Sequence, residues 1–364
     1  MSDSSTRLAL AVLLGCGCAH STQAASRPDQ QFEVFQFPKD QIPRIDGSFA
    51  DWNLVPERYA IGLDQLMDTE RGRGIDLDPA DFDLSVKVAW VEGLNRLYFY
   101  YDASDDDWDF ARSGLKNDIF EVVVDGNLSG GSFINTVHPH KDAFKKSDLH
   151  FMGHGEHAQN YHVFTPSLRK EWAMVWGNAP WIKDFPHANA AQSYSFQHGE
   201  GGRYQLEFYI TAFDHADLRG PAYSTESDFR ENGLIGLSWC ILEYDDEGNT
   251  FEAFMNLAHD TEMVRDASSL CLFKLMPIEP ELQPAIQANW SVTNIGTDRR
   301  SFKFEDRSHG EIQSWHWDFG DGNSSNEPSP IHHYTRPGQW VVRLSVRGPA
   351  GEDSLEKIWD VVTP

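Results

Sequence analysis

The chain predicts an all-β protein built of two sandwiches, and three observations carry that expectation. Across its 364 residues, short alternating apolar and polar runs recur between turns rich in Gly and Pro, and stretches of helical period are scarce. Aromatic residues make up 13% and Trp alone contributes 12, which supplies large rings for two sandwich cores. A Pro-rich stretch, Pro277-Ile278-Glu279-Pro280-Glu281-Leu282-Gln283-Pro284, reads as a stiff link between two units. Residues 30–278 are then the larger unit, 279–284 the linker and 285–364 the smaller unit.

Residues 1–25 read as an export leader. Arg7 precedes the apolar run Leu8–Leu14, which is too short to span a bilayer as a mature helix. Leu13-Leu14-Gly15-Cys16 resembles a bacterial lipobox, which implies lipidation at Cys16. The alternative is cleavage after Ala24, from Thr22-Gln23-Ala24. Either route places the protein outside the cytoplasm, secreted or lipid-anchored at the cell envelope. A lipid on Cys16 would be its one contact with a membrane. Residues 26–31 are polar and read as a short tether.

The larger unit opens with Pro43–Trp52. The runs Ser85–Trp90 and Leu97–Tyr101 flank Gly93-Leu94-Asn95 and predict a hairpin. Asn117–Gly126 is the next strand, Tyr204–Ile210 another, and Ile235–Leu242 and Leu270–Leu275 close the unit. Trp52, Trp90 and Trp239 fall within these patterns and read as core. Of the four cysteines, Cys240 and Cys271 sit in the last two strands. They either pair, if those strands are neighbours, or serve as small buried hydrophobes.

Two loops carry oxygen ligands suited to calcium. In Asp125-Gly126-Asn127-Leu128-Ser129-Gly130, Asp125, Asn127 and Ser129 alternate and Gly stands sixth, as in the first half of an EF-hand loop. The twelfth position is Thr136 rather than Glu, so it is no EF-hand. Asp105, Asp106, Asp107 and Asp109 form the second candidate, with Asp105 and Asp107 as its principal ligands. The competing reading of both is a solvated acidic turn.

Residues 130–200 hold an insertion with a Trp-rich stretch, Glu171–Lys183. Trp172, Trp176 and Trp181 surround a Gly-Asn-Ala-Pro turn and are candidate ligand platforms, with Trp108 of the acidic loop as a fourth. Indole offers a broad flat face for apolar C–H surfaces, although Trp is more often core than platform. His138, His140, His150, His154, His157 and His162 cluster in the same insertion. His-x-His and His-x-x-His spacings suit zinc or copper, but no helical pattern fixes their geometry, and ligand-facing roles fit one or two of them better.

In the smaller unit, Trp340, Val342, Leu344 and Val346 alternate with Val341, Arg343, Ser345 and Arg347, which marks a half-buried strand. Trp315 and Trp317 lie two apart and share a sheet face. Phe319-Gly320-Asp321-Gly322 then reads as a tight turn, in which Asp318 and Asp321 bond to backbone rather than do chemistry.

Two family resemblances rest on these residues. Trp315-His316-Trp317-Asp318-Phe319-Gly320-Asp321-Gly322, followed by Pro330-Ile331-His332-His333-Tyr334 and the Gly338–Val346 strand, resembles the signature of the PKD domain. That resemblance implies an immunoglobulin-like sandwich that acts as a spacer or interaction module outside the cytoplasm. In the larger unit, Ile45-Asp46-Gly47, Trp52, Leu97-Tyr98-Phe99, the acidic loop, and Asp118, Glu121 and Asp125 follow the order of the family nine carbohydrate-binding modules. Thr211 stands where that family has Pro, and the insertion departs from the minimal module. This resemblance implies a jelly-roll-like two-sheet sandwich that binds a polysaccharide or oligosaccharide, often with structural calcium, and has no catalysis of its own.

Charge and motifs narrow the alternatives. With 56 acidic and 30 basic residues the net charge is −26, which disfavours nucleic acid as a partner. No Gly-x-Ser-x-Gly elbow, P-loop, His-Glu-x-x-His or Cys-x-x-Cys-His motif occurs. A glycan-degrading enzyme built on the His- and Trp-rich insertion stands as one rival reading. A haem-binding electron-transfer sandwich, which needs axial His or Met ligands, stands as another.

Overall fold

The computed structural model describes residues 25–112, 114–133, 145, 154–168, 171–177, 179–245, 250–283, 285–297 and 299–361. Cys16, Thr136, His138, His140 and His150 lie outside the described residues. The principal strands of the larger unit are β1 (Gln31–Gln36), β2 (Phe82–Val91), β3 (Leu94–Asp105), β4 (Ile119–Asp125), β5 (Gln159–Phe164) and β6 (Ala173–Val175). After them come β7 (Ala188–Ser193), β8 (Gly202–Thr211), β9 (Leu234–Glu243), β10 (Ala253–Asn256) and β11 (Cys271–Leu275).

These strands form two sheets that share β1. One sheet runs β6-β5-β4-β9-β11-β1 and the other β1-β2-β3-β8-β7. The first part of β1 pairs with β11, and Phe35 and Gln36 then pair with Ala89 and Trp90 of β2. The predicted hairpin is β2–β3, with Phe99 opposite Val88. Alternate residues of both sheets meet between them, and Trp90, Phe99, Phe120, Phe208 and Trp239 are fully buried there. Trp52 is buried in a satellite cluster with Phe35, Phe37 and Tyr59.

The Ile45-Asp46-Gly47…Trp52 segment acquires a physical role. Glu207 of β8 is fully buried. Its Oε1 accepts from the Asp46 and Gly47 N–H groups at 2.8 and 2.7 Å, and its Oε2 accepts from Trp52 Nε1 at 3.2 Å. The segment therefore satisfies a buried carboxylate and pins the chain across that sheet. Cys240 and Cys271 are free and buried, although β9 and β11 are neighbours. Register explains this, because Leu237 faces Cys271 and Cys240 lies farther along the strand.

The smaller unit holds two facing sheets. One contains Trp290–Asn294, Ser301–Asp306 and Ile331–His333; the other contains Ser324–Ser325, Ser314–Asp318, Gly338–Gly348 and Gly351–Val361. Trp290, Phe304, Trp317, Phe319, Tyr334, Val342 and Leu344 fill its core, and Trp315 and Trp340 pack half-buried at its margin. Asp318 Oδ1 accepts from Gly320 N at 2.9 Å and Asp321 Oδ1 from Asn323 N at 3.1 Å, so both acids fix the turn. Gly320 has φ +79°, and a Cβ there would sit 2.6 Å from the Val341 carbonyl oxygen.

Candidate functional site

The four candidate tryptophans have different fates. Trp108 is fully buried, stacked on Phe196 at 5.3 Å, and its Nε1 donates to the Gly202 carbonyl at 2.8 Å. The expectation that Trp108 offers a platform is corrected here, because its ring presents no face to solvent. Gly202 makes this possible, since a Cβ there would lie 2.5 Å from the Phe196 ring. Trp172 and Trp181 are half-buried lids on the main core. Trp172 leans on Phe208 and donates to the Lys183 carbonyl at 3.1 Å. Trp181 sets its ring against His187 and Phe213 and donates to the Asp217 carbonyl at 2.9 Å.

Trp176 lines a cavity of about 230 Å³, with Glu121, His154, Asn160, His162 and Arg265. Strand period builds its floor. Tyr161 and Val163 of β5 enter the core, so Asn160 and His162 emerge on the opposite face. Glu121 of β4 pairs directly with His162. Two glycines bring the wall in. A Cβ on Gly177 would lie 2.0 Å from the His154 carbonyl oxygen, and one on Gly155 would lie 2.9 Å from that of Trp176. This close approach sets the Trp176 ring 6.3 Å from His154 and 5.6 Å from His162.

The cavity groups are mostly buried and polar. Glu121 Oε1 accepts from Asn160 Nδ2 at 2.7 Å and lies 3.3 Å from His162 Nε2, while Cys240 Sγ donates to Oε2 at 3.4 Å. Burial, with Glu121 beside it, pushes the Cys240 thiol well above its ordinary value, so it stays protonated and inert. His162 Nδ1 and Asn160 Oδ1 are buried without a hydrogen-bond partner among the described residues. With its ring proton on Nε2, which faces Glu121 at 3.3 Å, His162 would present Nδ1 as an acceptor. The arrangement thus sets an aromatic ring beside the polar atoms His162 Nδ1 and Asn160 Oδ1, which lack a hydrogen-bond partner among the described residues. Sequence reasoning named Trp176, His154 and His162, but it did not join them to Glu121, Asn160 and Arg265.

The two calcium loops also separate. Asp125 is fully buried, and its carboxylate accepts backbone N–H bonds from Asn127, Ser129 and Gly130 at 3.3, 3.2 and 2.7 Å. Asn127 Oδ1 takes the Ser129 N–H as well, at 3.0 Å. These oxygens close the turn on itself, although Asp125 is buried rather than solvated as the competing reading had it. Asp107 donates its backbone N–H to Asp105 Oδ1 at 3.1 Å. Among the described residues, the carboxylates of Asp81, Asp106 and Asp245 converge, with one oxygen of each within 4.8 Å of the others. Burial, with Asp245, Asp106 and Asp81 nearby, raises the Asp105 carboxyl to about 8. Burial and Asp245 likewise raise Glu243.

The fold and these sites define an all-β protein of two sandwiches, the first with a small aromatic-walled cavity. Residues 281–362 match the PKD domain family and form a PKD domain. Over 73 residues the chain is 34% identical to collagenase ColQ1 of Bacillus cereus strain Q1, which covers 20% of this chain and 8% of that protein. Over 82 residues it is 38% identical to collagenase ColA of Clostridium perfringens, covering 22% of this chain and 7% of that protein. The chain thus spans less than a tenth of the length of these curated relatives. Among solved structures, the PKD1 domain of Vibrio anguillarum Epp aligns at 32% identity and TM-score 0.21, covering 22% of this chain and 99% of that one. A family nine carbohydrate-binding module from Caldicellulosiruptor kristjanssonii, in complex with cellotriose, aligns at 15% identity and TM-score 0.44, covering 69% of this chain and 95% of that one.

Proposed function

We propose that the larger sandwich binds a saccharide in the cavity beside Trp176, and that the PKD domain serves as a spacer or interaction module. The single observation that carries this reading is the juxtaposition of the Trp176 ring with Asn160, His162 and Glu121. Sugar rings pair apolar C–H faces with hydroxyl edges. An indole packs on the former, and amide, imidazole and carboxylate atoms bond the latter. The unpartnered His162 Nδ1 and Asn160 Oδ1 accept from such hydroxyls, which offsets their buried, unsatisfied state. The cavity, at about 230 Å³, has room for about one sugar ring rather than a long chain segment.

We further infer that the protein works outside the cytoplasm, a reading supported by the Leu8–Leu14 apolar run behind Arg7. Calorimetric titration of the full chain with neutral oligosaccharides, cellotriose first, tests the binding proposal. Saturable binding that Asn160→Ala weakens is expected; a panel that gives no binding heat rejects it.

A further inference from the structure

An unresolved electrostatic tension in the larger sandwich lies away from the Trp176 cavity, at one end of the two sheets. Asp81 precedes β2, Asp106 follows β3, and Asp245 follows β9. The first two therefore come from one sheet and the third from the other. Behind them stand Asp105 and Glu243, which are 5% and 1% exposed. Both oxygens of Glu243 and Oδ2 of Asp105 are buried without a hydrogen-bond partner among the described residues. The guanidinium of Arg73 faces the group. Arg73 Nη1 lies 2.9 Å from Asp81 Oδ2 and 3.9 Å from Glu243 Oε2, while its Nη2 is drawn to Glu252 at 3.2 Å. One positive charge shared in this way leaves the five carboxylates Asp81, Asp105, Asp106, Glu243 and Asp245 largely uncompensated. Unpaired buried carboxylate oxygens are costly, and a cation is the usual remedy.

We propose that Asp81, Asp106 and Asp245 bind one calcium ion, with Glu243 and Asp105 supporting it from the buried side. The spacing fits the ion. Oxygens bonded to one calcium at about 2.4 Å are at most about 4.8 Å apart. One oxygen of each of the three aspartates lies within that mutual limit. Six to eight oxygens complete such a shell, so carbonyl groups and water join the carboxylates. Because the three ligands come from both sheets, the ion acts as a clip between them. It binds the folded chain and not the unfolded one, and so raises thermal stability by mass action. This ligand set differs from the ones expected from the sequence, where Asp125, Asn127 and Ser129 came first and the 105–109 loop, with Asp105 and Asp107, was the competitor.

The test uses the full chain and calcium chloride, read by titration calorimetry and by thermal melting against a chelator. The wild type should bind with a melting temperature that rises with calcium. Asp106→Asn and Asp245→Asn should each weaken binding by about tenfold or more, and Glu243→Gln by about 10–100-fold as a supporting group. Asp106 is exposed, so its variant keeps the fold and isolates the ligand effect. Asn127→Ala should leave binding unchanged. Equal melting in calcium and chelator would overturn the proposal, as would Asp106→Asn and Asp245→Asn variants that bind like the wild type.

Discussion

Glu207 offers the sharpest test of how the larger sandwich is held together. Replacing it with Ala removes three bonds to a charged acceptor, from Asp46 N, Gly47 N and Trp52 Nε1. Bonds to charged groups contribute about 1.5–3 kcal/mol each, so the gross loss is roughly 5–9 kcal/mol. Two effects reduce it. Asp46 is exposed, so water can replace part of what its N–H loses. Burial also holds the Glu207 carboxyl above its ordinary value despite the three bonds, so removing the charge returns some desolvation cost. A net loss of about 3–5 kcal/mol follows for Glu207→Ala. Glu207→Gln keeps the volume and one acceptor oxygen but turns an N–H toward Trp52, and should cost about 1–2 kcal/mol. Urea unfolding of the full chain measures both, with the PKD domain's transition as an internal control. An Ala variant within about 1 kcal/mol of wild type would refute the reasoning, as would Gln costing more than Ala.

Two further outcomes follow from the same bookkeeping. Burial alone would raise the carboxyl of Asp68, but backbone N–H bonds from Arg73, Phe254, Arg71 and Glu70 outweigh it and hold it below its ordinary value. A depressed carboxyl stabilises above its unfolded value, about 4, and that stability is lost as pH falls through the folded value. The stability gap between wild type and Asp68→Asn should therefore shrink on acidification below about pH 4, and a gap that widens contradicts it. Trp317 is fully buried, packs against Trp290 and Phe304, and donates to the Glu327 carbonyl at 3.0 Å. Trp317→Ala should cost the PKD domain about 3–5 kcal/mol in denaturant unfolding, and a loss below about 1 kcal/mol would place the ring outside the core.

What was legible in the sequence was local. The Trp315–Gly322 run encodes a strand, a tight turn and two aspartates that cap that turn, all within reach of one another, so its roles could be read directly. Strand period likewise identified Trp90 and Trp239 as buried; Trp52 is buried too, but in a short 3-10 turn, Phe49–Leu54, rather than in the strand its pattern suggested. Trp108 misled because its surroundings are acidic in sequence, while its actual cover, Phe196 and the Gly202 backbone, arrives from a distant segment. The proposed calcium site, of which only Asp106 stood in a sequence candidate, was hidden for the same reason. Asp81, Asp106 and Asp245 become neighbours only when both sheets close, whereas the regular spacing of Asp125, Asn127 and Ser129 reflects a turn bonding to itself. Trp176 was legible as a candidate but not separable from Trp172 and Trp181, because which indole faces a cavity depends on the Gly155–Gly177 approach.

The central claim is that Trp176 is a saccharide contact while Trp172 and Trp181 are lids on the core. The direct measurement is oligosaccharide affinity paired with melting temperature for Trp176→Ala, Trp172→Ala and Trp181→Ala. Trp176→Ala should weaken binding by roughly 1–3 kcal/mol, about fivefold to 150-fold, with little change in melting temperature. The other two should melt earlier and bind as the wild type does. A Trp176→Ala protein that binds its best saccharide with wild-type affinity would contradict the account.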